Sequence, residues 1–138
     1  MVQMEKDSHI IWKNKIFIVE AIIDETLWEK QLIYNLKKNL NHILNEIYRI
    51  SDLINANKKY CISLSFAGDK NIIKLNGLYR QKYFPTNVLS FPSKIERNNK
   101  IFLGDIIFSA ETIFKEANRD NKSFYDHLVH LFIHSFLH

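Results

Sequence analysis

The chain has 138 residues, with 19 Lys and Arg against 15 Asp and Glu, for a formal charge of +4 when the histidines are neutral. That length suits one domain with a real core, a hydrophobic fraction of 46% excludes an intrinsically disordered chain, and the mild positive charge permits an anionic partner without demanding one. Cys61 is the lone cysteine, which excludes an internal disulfide and points to a reducing compartment.

Residues 1–14 carry scattered charges and no signal-like apolar core, and are expected to be a flexible lead-in. Residues 15–138 are expected to form a single domain. No run is long enough to cross a bilayer, so a cytoplasmic protein without a membrane partner is expected. Lys15 to Ile23 is rich in Ile, Phe and Val and suits a strand. Thr26 and Glu29 have the spacing of a capping box, and Trp28, Leu32, Leu36, Leu40 and Leu44 follow at four-residue intervals, predicting an amphipathic helix.

Tyr60 to Phe66 alternates apolar with small residues, as a half-buried strand does. Gly68-Asp69 turns the chain, and Asp69 can cap a helix running to Tyr79. Pro85 and Pro92 bracket a short strand from Thr86 to Phe91. Asn98-Asn99 reads as the loop before a strand from Ile101 to Phe108. Ser109 caps a helix from Ala110 to Asn118, and Ser123 caps the last one. The order predicts one α+β domain: a small mixed β-sheet with packed helices and a candidate metal-site helix at the C-terminus.

Three stretches carry chemistry. Between Lys70 and Lys100 the cations are Lys70, Lys74, Arg80, Lys82, Lys94, Arg97 and Lys100, with Glu96 the only acid and Tyr79, Tyr83 and Phe84 interleaved. Such a mixture can hold phosphates and stack bases, although a solvated charged face is the plainer reading of charge alone. Arg80 stands out because a guanidinium can clamp a phosphate at two points. Asp105 lies in an apolar strand, so it is either buried with a partner or aimed at a site, where it could orient an imidazole. In the last helix, His127, His130, His134 and His138 fall within an arc of about 80° at 100° per residue. His134 and His138 stand one turn apart, a spacing that lets two imidazoles meet one divalent ion. A row of hydrogen-bonded structural histidines is the alternative.

Leu75-Asn76-Gly77-Leu78-Tyr79-Arg80, Pro85-Thr86-Asn87-Val88-Leu89-Ser90-Phe91-Pro92, Leu103-Gly104-Asp105-Ile106 and the histidine helix occur in that order. Together they resemble the YbeY family of bacterial metal-dependent endoribonucleases, which act in ribosomal RNA maturation. The resemblance runs from Lys15 to His138. His134-Ser135-Phe136-Leu137-His138 matches the first five places of the family's H-G-x-L-H-L-x-G-Y-D-H motif, with Ser135 where glycine is usual.

The resemblance implies a single-strand-specific, zinc-dependent endoribonuclease of ribosomal RNA maturation and ribosome quality control. It implies one Zn2+ on His134 and His138, a catalytic Arg80, and RNA and the small ribosomal subunit as partners. From the residues themselves, Lys82 and Lys94 of the basic stretch are expected to join Arg80 in holding RNA, and Asp105 and His130 to support the ligands, although the resemblance does not require His130. The motif's third histidine lies beyond His138, so the expectation is a chain truncated at its C-terminus or a degenerate copy. Two other readings stand beside this one. A non-catalytic module that docks on RNA or the ribosome needs only the basic face. A metalloprotease-like hydrolase shares HxxxH, but that pattern wants Glu where Ser135 stands.

Overall fold

The computed structural model describes residues 7–51, 54–55 and 57–137. Its elements are β1 (Asp7–Lys13), β2 (Phe17–Asp24), α1 (Lys30–Ile50), β3 (Lys59–Ala67), α2 (Asp69–Arg80), β4 (Val88–Arg97), β5 (Lys100–Ser109), α3 (Ala110–Arg119) and α4 (Phe124–Leu137). The five strands form one mixed sheet in the order β1-β2-β3-β5-β4. β2, β3 and β5 run parallel, and β1 and β4 close the two edges antiparallel. This is the α+β domain expected from the sequence.

Alternation along the strands decides which helix goes where. Val19, Ala21 and Ile23 of β2, Ile62, Leu64 and Phe66 of β3, and Ile106 and Phe108 of β5 point to one face. Leu36, Leu40 and Leu44 of α1, Ile113 of α3, and Leu128 and Phe132 of α4 bury against it. The other face is narrower. Ile72 and Leu75 of α2 cover Ala67, Leu89 and Ile107, with Ile22 and Phe91 at the margin. Each fully buried Leu or Phe contributes about 1.5–3 kcal/mol of transfer free energy, so the larger cluster carries most of the stability.

Three expectations are corrected. The lead-in expected over residues 1–14 contains β1, which pairs with β2 from Asp7↔Asp24 to Lys13↔Ile18; residues 1–6 lie outside the described residues. The first long helix starts at Lys30, not after Thr26. Asp24 causes the delay: its Oδ1 accepts from the Thr26 amide (3.0 Å) and hydroxyl (2.6 Å), and its carbonyl accepts from the Leu27 and Trp28 amides. A local aspartate turn of this kind competes with the helix for the same backbone donors. Trp28 is therefore buried from a turn, where its Nε1–H donates to the Ala67 carbonyl at 2.8 Å.

The third correction is β4, which runs through Pro92 to Arg97 with an irregularity between Pro92 and Ile95. An edge strand tolerates proline, because the missing N–H can face solvent. Asn98 and Asn99, at φ 52° and 67°, form the tight turn into β5. Opposite Pro92 sits Gly104 at φ +127°, where an added Cβ would lie 2.2 Å from the Phe91 carbonyl oxygen. No L side chain fits there, which is the physical content of Gly104 in Leu103-Gly104-Asp105.

Candidate active site

Arg80 ends α2. The next residue, Gln81, caps the helix in the left-handed conformation at φ 56°. The Gln81 and Lys82 amides return to the Gly77 and Asn76 carbonyls at 3.1 and 3.2 Å, which satisfies the last turn and fixes where Arg80 leaves the helix. Its guanidinium lies 6.0 Å from the Phe91 ring centroid, and Nη2 donates to the Ser90 carbonyl at 3.3 Å. Tyr79 meets the same Phe91 edge-on.

The loop after α2 is held at both ends. Asn76, buried, donates from Nδ2 to the Phe84 carbonyl at 2.9 Å. Gly77 leaves room for the Tyr83 ring, whose Cε1 would be 2.3 Å from a Cβ there. At the far end the Asn87 carbonyl accepts from the Ser109 amide at 2.9 Å, and Asn87 Nδ2 donates to Glu116 Oε1 at 2.8 Å. Tyr79, Tyr83 and Phe84 nevertheless remain exposed, at 67%, 75% and 53%. The Tyr79 ring rests on Phe91 and the Tyr83 ring lies over Gly77, so two of the three are held in place while largely in water.

Ser90 connects this region to a second. With Pro92, Ser93 and Lys94 of β4 and Leu103, Gly104 and Asp105 of β5, it lines a cavity of about 180 Å³ that Ser135, Phe136 and Leu137 of α4 close. The fold therefore brings Lys94, Asp105 and the last turn of the histidine helix around one space, with Arg80 bonded to its wall. Lys82 is exposed in the loop and is not part of that wall. A larger groove of about 630 Å³ between β1, β2 and α1 includes none of these residues and is lined by Trp12, Trp28 and Tyr34 among others.

Asp105 pairs across to Ser63 of β3 and Phe91 of β4. That register sets its side chain on the face α2 covers, although the residue also borders the cavity that the last turn of α4 closes. Burial raises its carboxyl above the ordinary aspartate range.

α4 begins as the sequence suggested: the Ser123 hydroxyl accepts from the Asp126 amide at 3.0 Å. The histidine stripe then divides. His127 is buried, while His130 and His134 reach the exposed side. The His130 and His134 rings stack, with centroids 5.4 Å apart and planes 21° from parallel. Nearly parallel rings do not aim their nitrogens at one point, so His130 does not complete a metal site with His134. Among the described residues no three His, Cys, Asp or Glu side chains are placed to hold a metal ion. His138 lies outside the described residues. The described residues thus carry one imidazole of the expected pair and do not by themselves make a zinc site.

Sequence reasoning missed a third feature. Glu116 of α3 accepts on the same Oε1 from Asn87 and from His127 Nε2, each at 2.8 Å. The histidine arc contained His127, and Asn87 stands in the Pro-Thr-Asn motif, but nothing in the sequence joined either to Glu116.

The family model for endoribonuclease YbeY matches residues 23–138. The endoribonuclease YbeY of Bartonella henselae is 34% identical over 125 residues, a stretch covering 87% of this chain and 75% of that protein. The Rhizobium etli protein of the same name is 48% identical over 80 residues, which cover 56% of this chain and 47% of its own length. The chain thus matches about half the length of that relative. The solution structure of TM1509 from Thermotoga maritima superposes with a TM-score of 0.54 at 26% identity, over 80% of this chain and 65% of that one. The matched span takes in Arg80, the Pro-Thr-Asn loop, the cavity wall and α4, and on that ground the chain belongs to the endoribonuclease YbeY family.

Proposed function

We propose that the chain is a single-strand-specific endoribonuclease acting in ribosomal RNA maturation and quality control, with RNA and the small ribosomal subunit as partners. The observation that carries the reading is that Arg80 bonds to Ser90, in the wall of the cavity that Lys94 and the last turn of the histidine helix also line. Five cations and no acid lie between Lys70 and Ile95, which suits a polyanion. Arg80 would take two phosphate oxygens and offset charge that grows on them as the bond breaks. Lys82 and Lys94 would hold flanking phosphates, and the exposed rings of Tyr79, Tyr83 and Phe84 would accept unpaired bases.

His134 and His138 are the proposed zinc ligands, and zinc there would supply Lewis acidity toward a phosphoryl oxygen or water. A non-catalytic RNA-binding module is the second reading, favoured by exposed cations and rings that bind RNA without any metal. Cleavage of single-stranded and duplex RNA, with and without a chelator, decides between them. Cutting of the single strand that stops with chelator is expected. RNA that is bound but left intact under every metal condition would establish the binding module.

A further inference from the structure

We infer that Glu116 is a positioning residue, a clamp that sets the seat of α4 against the loop behind Arg80. One atom carries it. Oε1 of Glu116 lies 2.8 Å from Asn87 Nδ2 and 2.8 Å from His127 Nε2. An amide NH2 only donates, so that oxygen is an acceptor and His127 Nε2 carries the proton. Three elements therefore converge on one oxygen: α3 through Glu116, the loop from Gln81 to Asn87, and α4 through His127.

The surroundings make this bond hard to replace. His127 is 6% exposed, and its Nδ1 is buried with no hydrogen-bond partner among the described residues. A proton on Nδ1 would have nothing to bond there, so Glu116 selects the tautomer as well as the ring position. Asn87 is fixed from its other side, because its carbonyl accepts from the Ser109 amide. The clamp thus joins an anchored loop to a helix that the apolar core holds chiefly through Leu128 and Phe132. Apolar packing resists lifting a helix more than sliding it, and a directional bond to His127 opposes the slide. His134 lies two turns further on, about 10 Å along the axis at 1.5 Å per residue, and moves with the helix.

The kinetic arm of the test rests on the endonuclease reading; the structural arm does not. Ring nitrogen resonances of His127 and His134 are recorded for the wild type, Glu116→Ala and Glu116→Gln, together with thermal unfolding and RNA cleavage. In Glu116→Ala both histidines should shift, kcat should fall by at least about tenfold, and KM should stay within about twofold, because the loss is of placement and not of RNA contacts. Glu116→Gln should restore the His134 resonance and most of kcat, since its amide oxygen accepts both bonds. A His134 resonance unmoved in a folded Glu116→Ala protein overturns the clamp. So does a loss of kcat no larger than the loss of folded protein. If Glu116→Ala fails to fold, Asn87→Ala removes one donor and keeps the His127 bond; a smaller His134 shift is then expected, and no shift overturns the proposal. A wild type that cuts no RNA refutes the endonuclease reading and leaves the resonance arm to decide on the clamp.

Discussion

Arg80 and Ser90 are joined by a 3.3 Å hydrogen bond from Nη2 to a main-chain carbonyl, and through it the end of α2 touches the wall of the cavity that α4 closes. The bond is long and the side chain exposed. Such a contact contributes about 1 kcal/mol or less to folding. Arg80→Ala should therefore unfold at nearly the wild-type temperature and lose most RNA cleavage. Arg80→Lys should recover only part of it, because the ammonium keeps the charge and loses the two-point geometry. Unfolding curves beside cleavage rates check this. A variant with lower stability and normal activity per folded molecule would make Arg80 structural.

RNA binding should weaken steeply with salt. Each phosphate contact to a single strand adds about 0.7 to the slope of log K against log salt. Neutralising Lys82 and Lys94 together should reduce affinity and flatten that slope by about 1.4. Titrations of an unstructured oligoribonucleotide at several salt concentrations measure both quantities. A double variant with the wild-type slope would show that RNA bypasses these two lysines.

What could be read ahead of the structure follows from how local each signal is. Ser123 and Asp126 lie three residues apart and make the bond their spacing suggests. Asn98-Asn99 turns the chain because both residues tolerate positive φ. β1 was missed because a short edge strand gains its stability from pairing with β2, and its own residues are mixed in character. The start of α1 was misplaced because a cap signature at Thr26 lost to the aspartate turn at Asp24. Within the site, Arg80 stood out by charge. The Glu116 clamp did not, since its bonds span 29 and 11 positions and Asn87 and His127 each have ordinary local explanations.

The His130 and His134 rings stack nearly parallel, and this gives the two residues different expected effects on zinc binding. If His134 is a ligand, His134→Ala should weaken zinc binding by tenfold or more, about 1.4 kcal/mol. His130→Ala should change it by less than about twofold, because nearly parallel rings do not converge on one ion. Competition against a chromophoric chelator measures all three proteins. Equal losses in the two variants would mean that the rings rotate to share the ion.

Asp105 carries the last prediction. Burial raises its carboxyl above the ordinary range, so the folded state disfavours its charged form. Between the ordinary value and the raised one, the folded protein binds more protons than the unfolded chain. Stability therefore falls as pH rises through that window, and the loss persists above it. Asp105→Asn removes the ionisable group and should remove this dependence. The variant should be the more stable protein at neutral pH, and the advantage should vanish on acidification below the ordinary aspartate range. The difference between the two proteins is the quantity to follow, since other carboxylates titrate in both and cancel. Denaturant unfolding from acid to neutral pH supplies it. If Asp105→Asn is instead the less stable protein at neutral pH, the carboxylate is stabilised there in its charged form. The half-buried acid would then be held by a bond that only the ionised group can make.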